Sequence, residues 1–106
     1  MNQDIAVELF KALLQKQASP ELPFQVGEQL FIRTVTSHLT GRVTAIIGKF
    51  LVLEDAAWIA DDGRFSNAIN EGKLSEVEPV NVTVRVNTDS FIDVYTWTHP
   101  LPRVQK

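Results

Sequence analysis

Apolar residues in this chain follow a helical period before Pro23 and a strand period after it. From Asn2 to about Gln17, Ile5, Leu9, Phe10, Leu13 and Leu14 recur at helical spacing, with Glu8, Lys11, Gln15 and Lys16 between them. That spacing predicts an amphipathic helix. Asn2 suits its N-cap and Asp4 the positive end of its dipole. Ser19-Pro20 and Pro23 stop the helix and stiffen the connector. The apolar stripe either folds back over a sheet or packs on a partner subunit. Folding back is the expectation, because the stripe is ordinary core material.

Beyond Gly27 the pattern becomes that of strands. Gln29–Thr36 is rich in β-branched and aromatic residues, with Leu30, Ile32 and Thr34 on one face and Phe31, Arg33 and Val35 on the other. The strongest structural signal is Gly41 to Arg64. It reads as a strand over Arg42–Ile47, a tight Gly48-Lys49 turn, and a returning strand over Phe50–Leu53 that is apolar on both faces and therefore central. Alternation in the first of these strands puts Val43, Ala45 and Ile47 together. Glu54-Asp55 reads as the end of the returning strand, Ala56–Ala60 as a corner bearing Trp58, and Asp61-Asp62-Gly63 as a turn. Arg64–Glu71 predicts a short helix with Gly72 as its stop. Glu76, Glu78 and Pro79 mark an exposed or edge passage. Asn81–Val86 predicts a strand with Val82, Val84 and Val86 inward, and Phe91–Trp97 the last strand before an extended, proline-bearing tail.

Short turns between about five strands imply a mainly β (α+β) domain: a small antiparallel β-barrel or two-layer sandwich, with an N-terminal amphipathic helix and a short inserted helix. The division is residues 1–18 for the helix and 24–106 for the β domain. At 106 residues, 44% apolar, the chain holds one modest core, which oligomerisation would supplement. A net charge of −3 argues against broad nucleic-acid or anionic-membrane binding. With no cysteine there is no disulfide and no thiolate metal site. Glu8 and Lys11 interrupt the first apolar segment, so neither a signal peptide nor a membrane span is expected there, and a cytoplasmic protein is.

The strings FIRTVTSHLTGRV, LVLEDAAWIADDGRF, EGKLSEVEP and WTHPLPRVQK resemble a set of small β-rich proteins from bacterial and phage genomes that share an IRT…GR…LEDAAWIAD…GRF pattern. The resemblance runs from about Phe31 to the last residues and leaves out the N-terminal helix. It implies a phage or mobile-element setting, and the host cytoplasm as location, without implying a chemistry.

Catalytic patterns are missing from the sequence. Glu54/Asp55 and Asp61/Asp62 lack the alternate-residue spacing of a calcium loop, and adjacent acids at strand ends are ordinarily solvated turn residues. His38 and His99 have no patterned second ligand, the serines sit in no nucleophile elbow, and the glycines form no phosphate loop. No catalytic residue, metal site or cofactor is therefore expected, and no enzyme.

The arginines carry more information. Arg33, Arg42, Arg64 and Arg85 fall in or beside strands, and a guanidinium fork matches carboxylate and phosphate. Arg33, Thr34, Arg42, Trp58 and Arg64 are the candidate ligand-binding residues. The competing reading has these arginines in salt bridges to Glu54, Asp55, Asp61 or Asp62, and the aromatics in core or interface. The preferred functional reading is a non-enzymatic homo-oligomer that sequesters a small phosphate-bearing ligand, such as a nucleotide immune signal, as an anti-defence protein would. The alternatives are a structural or assembly protein of a phage or phage-like particle, and an inhibitor or adaptor that binds a host protein.

Overall fold

One strand, twelve residues long, carries neighbours along both of its edges and spans the whole sheet. The computed structural model describes residues 3–18 and 22–106, with side chains inside the first helix described for residues 4–11. In chain order the elements are α1 (Gln3–Ala18), β1 (Gln29–Thr34), β2 (His38–Ile47), β3 (Phe50–Asp61), α2 (Phe65–Glu71), β4 (Glu76–Pro79), β5 (Val84–Asn87) and β6 (Phe91–Thr96), with a 3₁₀ turn at Thr88–Ser90. All pairings are antiparallel, in the order β4-β3-β2-β1-β6. β5 lies against the first residues of β3 and β4 against its last.

The mainly β architecture with a leading helix and a short inserted helix is as expected, but the barrel is not. β5 and β6 stand at opposite ends of the strand order and do not pair with each other. The sheet nevertheless curls, since Val86 of β5 and Phe91 and Val94 of β6 pack into one cluster. Closure would need hydrogen bonds between those two strands, and both edges are left open.

The curl and the two-sided core come from bulges. β2 residues Thr40 and Arg42 face Ala57 and Glu54, so Asp55 and Ala56 together oppose Gly41. The extra residue reverses the alternation of β3. Leu51, Leu53 and Ala56 face one core with Leu30, Ile32 and Val43, whereas Ala57 and Ile59 face the other with Phe31, Val77 and Trp97. Gly41 sits under the bulge, where a Cβ would lie 3.1 Å from Leu53 Cβ and 3.4 Å from Ala56 Cβ. A second bulge at Thr44 flips β2 in the same way, so Val43 shares its face with Ile46 and not with Ala45 as alternation predicts.

These bulges explain most boundary differences. Glu54-Asp55 lies inside β3, which continues through Trp58 to Asp61, and β2 begins at His38 to match it. The Glu76–Pro79 passage is a strand, β4. Expected strand Asn81–Val86 shrinks to Val84–Asn87, and Val82 is exposed ahead of it. α2 ends as expected: Gly72 takes a left-handed φ of 73° and its N–H reaches Ala68 O at 3.0 Å.

The expected fold-back of α1 is not seen. The connector takes that place, with Leu22 and Phe24 covering the first core and Phe24 packing at 6.1 Å from the Phe91 ring. Residues 4–11 of α1 are all exposed, Phe10 to 62%. The Asn2 cap, the side chains of Leu13 and Leu14 and the Ser19-Pro20 stop lie outside the described residues. No helix among the described residues is long and apolar enough to cross a membrane.

The tail is extended, as expected, and covers the second core. Trp97 Nε1 donates to Pro100 O at 3.1 Å, and His99 Nε2 donates to Ile69 O at 2.8 Å, at the end of α2. Val77 and Lys106 then exchange two backbone hydrogen bonds of 3.0 Å, which occupies the outer edge of β4.

Thr40 is fully buried between Phe31 and Ala57, and its hydroxyl has no hydrogen-bond partner among the described residues. An unpaired buried hydroxyl costs stability that an isosteric methyl does not. Thr40→Val is therefore expected to raise stability by about 1 kcal/mol, an increase in the melting midpoint of roughly 4–8 °C. Thermal denaturation followed by circular dichroism checks it, and an unchanged or lower midpoint contradicts it.

Candidate functional site

The polar chemistry concentrates where β1, β2 and β6 meet the loop before α2. Arg33 stands opposite His38 on one side and Asp93 on the other, so register alone brings the three together. Arg33 grips Asp93 with both arms of its fork: Nε donates to Oδ1 at 2.6 Å and the second nitrogen to Oδ2. Tyr95 donates to the same carboxylate at 2.9 Å. The guanidinium also lies over the Phe65 ring at 5.0 Å and the Tyr95 ring at 5.8 Å. The hydrogen bond from Arg33 holds the Asp93 carboxyl below its usual range, and the bond to Asp93 raises Arg33 and the Tyr95 phenol.

Beside this cluster His38 Nδ1 lies 2.9 Å from both oxygens of Asp62, the imidazole edge-on to Phe31. A carboxylate partner places the proton on Nδ1 and leaves Nε2 as the acceptor of the neutral ring. Among the described residues no nucleophile hydrogen-bonds to His38. Ser37 Oγ sits 3.2 Å from Thr34 Oγ1 and makes no hydrogen bond to His38. Among the described residues no group of three metal-ligating side chains converges.

The five residues that the sequence singles out do not form one site. Arg33 and Arg42 are on neighbouring strands but at opposite ends of the pairing, with Arg42 facing Gln29. They are roughly 13 Å apart along the strands at ~3.3 Å per residue. Arg42 donates to Asp55 Oδ2 at 2.6 Å, and Arg103 from the tail binds the other oxygen of that carboxylate. These two bonds, Arg42's first, hold the Asp55 carboxyl below its usual range. Asp55 is one of the salt-bridge partners that the sequence offers these arginines, whereas Asp93, the partner of Arg33, is not.

Thr34 is buried, its hydroxyl spent on the backbone of the turn it starts, donating to Ser37 O at 2.8 Å. Thr34 and Trp58, the latter 42% exposed, line a depression of about 230 Å³ together with Val35 to His38, Ile59 and Ala60. Arg64 is exposed at the N-cap of α2 and enters no ion pair or side-chain hydrogen bond among the described residues. Sequence reasoning missed Asp93, Tyr95, Phe65 and the His38–Asp62 pair as one cluster. The available signal was register: a β1–β2 turn at Val35–Thr36 puts His38 across from Arg33.

No family model matches the chain, and no curated protein matches it. Among solved structures, a heptameric archaeal Sm protein is similar at 18% identity and a TM-score of 0.48, over 67% of this chain and 87% of that one. The SmAP1 heptamer of P. aerophilum is similar at the same identity and TM-score, over 81% of this chain and 89% of its own. At that level the likeness carries no inference about ligand or assembly in this chain.

Asp93 gains its partner on folding and its folded pKa is lowered, so its contribution is present above the unfolded carboxylate value near 4 and fades as pH falls through the folded value. Asp93→Asn is expected to lower the melting midpoint by a few degrees at pH 7, with the gap to the parent closing below about pH 4. Melting curves across pH 2–7 check this, and a gap that is constant with pH contradicts it.

Proposed function

We propose that this protein acts by self-assembly: a non-enzymatic β module whose copies associate into a homo-oligomer and serve as a structural or assembly component. The observation that carries this reading is the outer edge of β6. It is six residues long, pairs with β1 on one side, and among the described residues has no strand on the other. Proteins ordinarily cover or blunt such an edge, and this one flanks it with exposed Val35 and Ile92. The uncovered Ile5, Val7, Leu9 and Phe10 of α1 support the same reading, since an apolar stripe without a cover is an interface by default.

Assembly takes precedence over ligand sequestration because the fork of Arg33 is spent on Asp93 and Arg42 is engaged by Asp55. Sequestration of a small phosphate-bearing ligand, in the phage setting that the sequence resemblance implies, is the second reading. The observation in its favour is Arg64, whose guanidinium is exposed and unpaired among the described residues.

Light scattering on a sizing column at tens of micromolar, the working range for weak association, is expected to give a multiple of the monomer mass. A monomer there overturns the assembly reading. For the second reading, a cyclic dinucleotide at ~100 times its dissociation constant adds about 2.7 kcal/mol, which raises the melting midpoint by roughly 10 °C or more. Arg64→Ala is expected to abolish that rise. If no nucleotide or simple phosphate shifts the midpoint, sequestration is excluded.

A further inference from the structure

We propose that β6 is a self-complementary edge, on which β6 of a second copy adds antiparallel across a two-fold axis with Val94 facing the partner's Val94. The proposal rests on the assembly reading above and names its contact. Which backbone groups of β6 are free follows from its ladder. Trp97 N–H donates to Gln29 O at 2.8 Å. In an antiparallel pair alternate residues bond to the same neighbour, so Trp97, Tyr95 and Asp93 bond toward β1. Thr96 and Val94 therefore turn their N–H and C=O groups outward, and no described residue meets them. Ile92 is the extra residue of the bulge where Arg33 faces Asp93 and Thr34 faces Phe91, and it is 64% exposed.

The other edges offer less. On β4 the outward residues are Val77, whose backbone groups are both taken by Lys106, and Pro79, which has no N–H to offer. β5 has four residues, and its Asn87 carbonyl accepts from Ser90 Oγ at 2.7 Å, leaving Arg85 as the one residue with both groups turned out. A second β6 matches the length and the apolar flank of the first.

Charge then selects the register. With Asp93 on the axis, two carboxylates would face each other, which is destabilising. With Tyr95 on the axis, Ile92 and Phe91 have no opposite residue. With Val94 on the axis, Ile92 faces the partner's Thr96, Asp93 faces the partner's Tyr95, and no acid meets an acid. This register keeps the longest overlap without a like-charge pair.

The chain has no cysteine, so engineered thiols read the contact directly. In the proposed register residues 92 and 96 form a pair whose Cα atoms are about 5.5 Å apart, within disulfide reach. The double variant Ile92→Cys/Thr96→Cys is expected to give a covalent dimer on mild oxidation, resolved on a non-reducing gel, and neither single variant is. Thr96→Pro, which removes an N–H the fold does not use, is expected to halve the mass in light scattering while leaving the far-UV circular dichroism spectrum unchanged. An oligomer that persists in Thr96→Pro, or a double variant that is oligomeric yet forms no covalent dimer, overturns the proposal and leaves the assembly reading standing. A parent protein that is monomeric overturns both.

Discussion

At Asp55 the backbone of β3 takes a φ of 52°, and Arg42 and Arg103 hold its carboxylate from two sides. Few residues other than glycine accept that conformation, and aspartate is among those that do. The bulge here lets a single strand face one core before it and another core after it. Without the phase change, Ala57 and Ile59 would point where Leu51 and Leu53 point, and α2, β4 and the tail would have no apolar face to cover. Gly41 lies under the same bulge, close against Leu53 and Ala56, and the tail's Arg103 binds Asp55 itself. The second core therefore depends on a local backbone feature that is held in place by the segment covering it.

What the sequence reveals of this fold is the identity of its pieces. The Gly48-Lys49 hairpin, the Gly72 helix stop and the leading amphipathic helix all follow from local chemistry, and all are present. What it conceals is phase. Strict alternation assigns Ala45 to the face of Val43 and ends β3 at Glu54, because a bulge leaves no composition signal beyond a polar pair that looks like a strand end. The location of α1 was also hidden, since an apolar stripe reads the same whether it meets its own sheet or another molecule.

The candidate site was partly legible for a related reason. Arginine within strands correctly marked Arg33 and Arg42 as residues with specific partners. The partner of Arg33 comes from β6, sixty residues downstream, and only strand order puts Asp93 beside it. Anion recognition is what these guanidiniums do, and the anions are the protein's own carboxylates. With Arg33 and Arg42 neutralised internally, the exposed arginines among the four in or beside strands are Arg64 at the start of α2 and Arg85 on β5, and they stand beside the open backbone edges and α1 as surfaces turned to solvent.

The pairing of β1 with β6 has a consequence for how the chain is made. Leu30 must wait for Thr96. At synthesis rates of ~5–20 residues per second, that delay is roughly 3–13 s, whereas a hairpin such as β1–β2 forms in about 1–10 μs. For those seconds the nascent chain carries a formed hairpin whose β1 edge is unpaired, with the backbone groups of Gln29, Phe31 and Arg33 turned outward. The species most exposed to misassociation is therefore this ribosome-bound intermediate, and the last strand to emerge is the one that ends its exposure.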